Sequence, residues 1–213
     1  MSKLLYVVGS PRGDNSESTS IAGTFLEAYC EANPTVEVDT LDLWREPLPV
    51  YGPAGVEAKM SVFAGEGPQG DAWSDVLRVF ARFNAADRYL FTIPMWNHGV
   101  PWPVKHLIDT ISQPGLIFGF DSEKGYTGLL TGKKAAVIYT SGVYGPGRGP
   151  AFGTDFHSTY FNDWLRFAGV EDVSEVRFQP TIATADADAL REAAHAEARG
   201  LGARFERSEL AAA

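Results

Sequence analysis

Directly after the apolar run Leu4 to Val8 stands Gly9-Ser10-Pro11-Arg12-Gly13-Asp14-Asn15-Ser16-Glu17-Ser18-Thr19-Ser20, a loop crowded with hydroxyls. Between a strand and a helix such a loop can hold phosphate. Amide groups of the first helical turn point at the anion, the macrodipole adds about half a positive charge, and hydroxyls donate further. Capping of the helix would use the same residue types. The loop is neither G-x-x-x-x-G-K-[ST] nor G-x-G-x-x-G, and Gly132-Lys133 precedes a strand. That disfavours a triphosphate with magnesium and a pyrophosphate, and suits a terminal monophosphate such as that of FMN.

Two further segments could complete such a site. Pro94-Met95-Trp96-Asn97-His98-Gly99-Val100-Pro101-Trp102-Pro103 is stiff and flat-faced, as an isoalloxazine ring requires, although its tryptophans could equally finish the core. Thr140-Ser141-Gly142-Val143-Tyr144-Gly145-Pro146-Gly147-Arg148-Gly149 has small residues that let a ring edge approach backbone amides. Read alone, that segment is a turn.

The elements that must carry these loops alternate. Strand-like runs cover Leu4 to Val8, Val36 to Leu43, Tyr89 to Ile93, Ala135 to Tyr139 and Val173 to Phe178. Helical spacing links Ile21, Phe25, Ala28, Tyr29 and Ala32, then Trp73, Leu77, Phe80 and Phe83, with capping near Asp71. Further helices begin near Pro103, end near Gly169 after Phe161, Trp164, Leu165 and Ala168, and span Asp186 to Phe205, beyond which the Ala-rich end reads as frayed. The stretch from Glu46 to Gly70 is either a functional loop or hides a short helix over Val56 to Phe63. Five parallel strands with right-handed crossovers favour a doubly wound α/β sheet of order 2-1-3-4-5, which gathers the three loops at its carboxyl end.

At 213 residues, a single domain over 1–213 is the simplest division. Its 45% hydrophobic and 21% charged residues exclude disorder and coiled coil, and the net charge of −9 argues against nucleic acid and anionic membranes. With one cysteine, no leader-like start and no apolar run of about 20 residues, a cytoplasmic protein is expected. His98, His106, His157 and His195 share no metal-ligand spacing, so no metal is expected.

Pro94-Met95-Trp96-Asn97, followed by Pro101-x-x-Val104-Lys105-x-x-Ile108-Asp109, resembles the FMN-dependent NAD(P)H:quinone oxidoreductase and azoreductase family, whose fold is flavodoxin-like. Phe118-Gly119-Phe120, the run Gly128 to Lys134 and Thr140-Ser141-Gly142 extend the resemblance over most of residues 3 to 180. It implies a homodimer with FMN near the subunit interface. Carried over by position, Ser10, Ser16, Glu17 and Ser18 would hold the phosphate; Arg12 could reach it too or be an ordinary exposed loop arginine. Pro94, Met95, Trp96, Asn97 and His98 would contact the ring, and Thr140, Ser141, Gly142 and Val143 its polar edge. Trp102, Phe118, Phe120 and Tyr144 would face a small aromatic acceptor. His98, where the family often has Phe, and Val143, where glycine is common, are departures on the substrate side.

The implied reaction is a ping-pong exchange: NADH or NADPH gives hydride to flavin N5, leaves, and a quinone, azo or related aromatic acceptor takes its place. The cofactor carries the chemistry, so the protein needs only to fix the ring and tune its charge. His98 and Tyr144 are candidate proton donors. Two other classes stay open: an electron carrier without turnover, and a Ser/His hydrolase, for which Gly13-Asp14-Asn15-Ser16 is a poor match. Eight aromatics from Tyr139 to Phe167 could wall a pocket or belong to the core.

Overall fold

A computed structural model describes residues 2–67 and 70–206, so the expected fraying of the Ala-rich end falls largely outside the described residues. Five parallel strands form one sheet: β1 (Lys3–Val8), β2 (Glu37–Asp42), β3 (Arg88–Pro94), β6 (Lys134–Thr140) and β7 (Asp172–Phe178), in the order β2-β1-β3-β6-β7. The extra numbers belong to a separate antiparallel hairpin, β4 (Phe118–Asp121) and β5 (Gly125–Gly128). With the hairpin set aside, the order is the expected 2-1-3-4-5.

Strands β1, β3 and β6 are buried almost throughout because helices cover both faces. Side-chain alternation splits them between two cores. Leu5, Val7, Tyr89, Phe91 and Ile93 face α3 (Asp71–Asn84), α4 (Trp102–Ile111) and α5 (Ser158–Ala168). Leu4, Tyr6, Val8 and Leu90 face α1 (Glu17–Ala32) and α6 (Ala187–Arg204). Gly202 on α6 lies so close to α1 that a Cβ there would stand 2.4 Å from the Phe25 carbonyl oxygen. Gly202→Ala therefore must push the helices apart, and a loss of about 1–3 kcal/mol in chemical unfolding is expected; an unchanged midpoint would contradict this packing.

Several boundaries move. The stretch after Glu46 does hold a helix, α2 (Pro53–Phe63), begun by a proline that suits the first turn. In α3 the buried stripe is Trp73, Val76, Val79 and Phe83, while Leu77 is exposed; both stripes have helical spacing, and only the tertiary contact chooses. Gly70 occupies the cap position of α3, with Asp71 in its first turn. Helix α5 ends as expected on Gly169, whose φ of 98° is left-handed. The hairpin was not expected. Its strands alternate glycine with aromatics, and Asp121 Oδ1 closes the turn by accepting the N–H groups of Glu123 and Lys124 at 2.9 Å each. Among the described residues no helix is long and apolar enough to cross a membrane.

Candidate functional site

The three unusual loops leave neighbouring strands at one end of the sheet. Val8 pairs with Thr92 and Pro94 with Thr140 in the strand register, so the chain exits β1, β3 and β6 side by side. Gly9 N–H donates to the Thr92 carbonyl at 3.1 Å and to its hydroxyl at 3.0 Å, and Met95 N–H donates to the Thr140 carbonyl at 2.7 Å. A Cβ on Gly9 would stand 2.4 Å from the Thr92 carbonyl oxygen, so only glycine permits this approach.

Ser16 caps α1 by accepting Thr19 N–H at 3.3 Å, and its hydroxyl lies 3.1 Å from that of Ser18. The N–H groups of Glu17 and Ser18 precede any intrahelical acceptor. Ser10, Ser16 and Ser18 are buried, whereas Arg12 is exposed. The Glu17 carboxylate, which would repel an anion, is drawn aside by Arg191 of α6 at 3.0 Å. Hydroxyl donors, free amides and a diverted acid together fit a phosphate monoester.

The second loop is a two-residue reversal. Trp96 and Gly99 exchange N–H···O=C bonds at 2.9 Å each, and Asn97 and His98 between them have φ of 47° and 70°. Two successive left-handed residues make a type I′ turn; asparagine tolerates it, histidine less well. His98 is retained by its surroundings: Nδ1 accepts Thr154 N–H at 3.3 Å and its carbonyl accepts Phe156 N–H at 3.1 Å. An accepting Nδ1 leaves the ring proton on Nε2. Lys105 and Asp109 of the quoted motif pair with each other along α4 at 2.6 Å.

In the third loop Ser141 hydroxyl donates to the Tyr144 carbonyl at 2.6 Å, and Arg148 donates to the carbonyls of Val143 at 2.8 Å and Ala183 at 2.7 Å. Thr181 and Ile182 N–H groups bond the carbonyls of Ser141 and Gly142 at 2.8 and 2.9 Å, leaving the exposed Gly142 and Val143 backbone firmly backed. Burial and the neighbouring Asp155 carboxylate push the Tyr144 phenol up, which keeps it protonated.

Trp44, absent from the sequence reading, joins the first two loops. Its Nε1–H donates to the Gly9 carbonyl at 3.1 Å, and its ring lies 5.4 Å from Trp96 and 5.7 Å from Trp102. No local signal marks it, because it follows the edge strand and meets its partners only in the fold. Beside these rings a cleft of about 810 Å³ runs between α2 and α4, lined in part by Trp96, Asn97, Trp102 and Tyr51. Ser16 and Gly142 do not line it; the three loops are joined by backbone bonds and register instead.

Phe118 and Phe120 lie apart from the three loops of their own chain. Phe118 is 5% exposed and packs against Phe167 and Tyr126, and the hairpin's Tyr126 to Gly128 share a cleft with Arg88, Lys134 and Asp172, the first residues of their strands. Within one chain both phenylalanines therefore sit at the opposite end of the sheet from the loops. Helix α4 runs from the carboxyl to the amino end, and the hairpin follows it. Of the eight aromatics from Tyr139 to Phe167, Tyr139, Phe161 and Trp164 are core, whereas Phe152 and Phe156 are exposed.

The model of a flavodoxin-like fold family matches residues 2–201. The chain belongs to that family. A relative from Ruegeria pomeroyi, an FMN-dependent NADH:quinone oxidoreductase, is 46% identical over 193 residues, 89% of this chain and 94% of the relative. Another of the same description, from Desulfotalea psychrophila, is 41% identical over 186 residues, 85% of this chain and 87% of its own length. A crystal structure of azoreductase from Bacillus anthracis superimposes with a TM-score of 0.84 at 25% identity, covering 96% of this chain and all of that one. In this flavodoxin-like chain the three loops thus occupy the carboxyl edge of the sheet, where α/β folds bind ligands.

Proposed function

We propose that this protein is an FMN-dependent NADH:quinone oxidoreductase that also accepts azo and related aromatic compounds. The observation that carries the reading is the phosphate-ready start of α1, with Ser10, Ser16 and Ser18 buried and Glu17 turned away by Arg191, beside the rigid Asn97–His98 turn. The relatives' descriptions support the cofactor and the donor.

When bound, FMN would supply the hydride chemistry, accepting from NADH and delivering to the acceptor. Ser10, Ser16, Ser18 and the Glu17 and Ser18 amides would bind its phosphate, with Arg12 at the open rim. The Pro94–His98 stretch would hold the ring, and the rigid Thr140–Val143 backbone would meet its polar edge. Trp96 and Trp102 would offer flat faces to NADH and to the acceptor in turn. His98 Nε2–H and the protonated Tyr144 hydroxyl are the groups able to give the acceptor a proton. Trp102, Phe120, Tyr126 and Phe156 are exposed aromatics, which supports a homodimer that covers them. A cytoplasmic setting fits the single cysteine.

The test is an absorbance spectrum of the purified protein with added FMN, before and after anaerobic NADH. Bleaching of a bound flavin band, with colour restored by stoichiometric quinone, is expected. A protein that takes up no FMN would overturn the proposal. Arg191→Ala should release Glu17 toward the phosphate and weaken FMN about tenfold, as judged by flavin fluorescence titration, with the loss eased in high salt.

A further inference from the structure

We propose that His157 is a positioning residue for the flavin-side turn, acting through the carbonyl of Ile93; this rests on the redox reading above. The Trp96–Gly99 turn keeps two non-glycine residues left-handed, an arrangement that persists only where neighbours over-determine it. Those neighbours come from one segment. Thr154 and Phe156 bond His98 from outside, and His157 reaches beneath the turn to place Nε2 3.0 Å from the Ile93 carbonyl oxygen. A carbonyl only accepts, so Nε2–H is the donor.

The three contacts are unequal. Those at His98 lie near solvent, whereas His157 is 0% exposed and gives the Ile93 carbonyl a second donor beside the Thr140 N–H of the β3–β6 ladder, so that without it one side of a buried carbonyl goes unused. The imidazole is also fixed from behind. Its Nδ1 lies 3.3 Å from Asp155 Oδ1, and its ring meets Tyr139 edge-on at 4.9 Å. Asp155 is itself tied down by Ser158 N–H at 2.8 Å, His157 N–H at 3.1 Å and Arg177 at 3.4 Å. The direction of the Ile93 carbonyl sets the peptide plane from which Pro94, Met95 and the turn depart, and Met95 N–H then locks the strand exit to Thr140. A carboxylate, an imidazole and a carbonyl in sequence thus transmit the rigidity of the α5 start to the turn meant to hold the ring. Nothing in the quoted family motif includes His157.

The experiment compares His157→Leu, which removes the donor, with His157→Gln, whose amide can restore it. FMN affinity and visible-region circular dichroism of the bound flavin are read well below both melting temperatures. His157→Leu is expected to raise the FMN dissociation constant about tenfold and to change the dichroism, with His157→Gln within about threefold of the parent. Should His157→Leu not fold, His157→Phe keeps ring volume against Tyr139 without the donor and replaces it in the comparison. A leucine variant with parental affinity and dichroism, or a glutamine variant as impaired as leucine, would overturn the positioning role alone. No FMN uptake by the parent chain would overturn the redox reading as well.

Discussion

Replacing Ser16 and Ser18 together by alanine should weaken FMN binding about 100- to 1000-fold while leaving the protein folded. Each hydroxyl can give a charge-assisted bond to phosphate, of about 1.5–3 kcal/mol. Ser16 already accepts Thr19 N–H, so its own proton is free to donate, and its loss also costs the α1 cap about 1 kcal/mol. The helix keeps its amides, so binding should fall without vanishing. Riboflavin, which lacks the phosphate, separates the contributions: its weaker affinity should be nearly the same in parent and variant. Equal losses for FMN and riboflavin in fluorescence titrations would move the phosphate elsewhere.

Asp155→Ala is expected to destabilise the fold by about 3–5 kcal/mol, because it removes the acid from a mostly buried polar cluster and strips the start of α5 of its acceptor. Ser158 hydroxyl and N–H, His157 and Arg177 all converge on this carboxylate. Burial by itself would raise its pKa; the hydrogen bonds from His157 and Ser158 outweigh burial and hold it well below the usual carboxylate range. A depressed folded pKa stabilises in full above the unfolded value of about 3.9 and loses that stabilisation as pH falls through the folded value. The gap between parent and variant should therefore be widest near pH 7 and shrink only below about pH 4. Urea unfolding at about pH 7 and pH 2.5 checks this, and a gap that does not narrow in acid would mean the carboxylate contributes by shape alone.

Both predictions join residues that a local reading treats differently. Ser16 and Ser18 stand out in the sequence because a hydroxyl cluster between a strand and a helix can serve only as a cap or as an anion site, and Ser16 does serve as the cap. Asp155 and His157 carry no pattern: an acid before a helix reads as an ordinary cap, and one histidine among four offers no spacing. Glu17 falls within the phosphate loop by position, yet its side chain is committed to Arg191, which lies 174 residues away in sequence. Phe118 and Phe120 match a motif but follow α4 to the other end of the sheet.

The five strands and most of the helices were determined by the chain's own apolar spacing, because burial on one or two faces imposes a period that neighbouring residues display, and the strand order followed from the handedness of the crossovers between them. So too were the three loops, since strand ends and right-handed crossovers leave them one edge to share. The tertiary structure alone decided which stripe of α3 is buried, that glycine-spaced aromatics close into a hairpin, that Trp44 joins two loops, and that His157 reaches Ile93. Except in the hairpin, whose pairs are local, those outcomes depend on contacts between residues tens of positions apart, whose energies leave no period in the sequence between them.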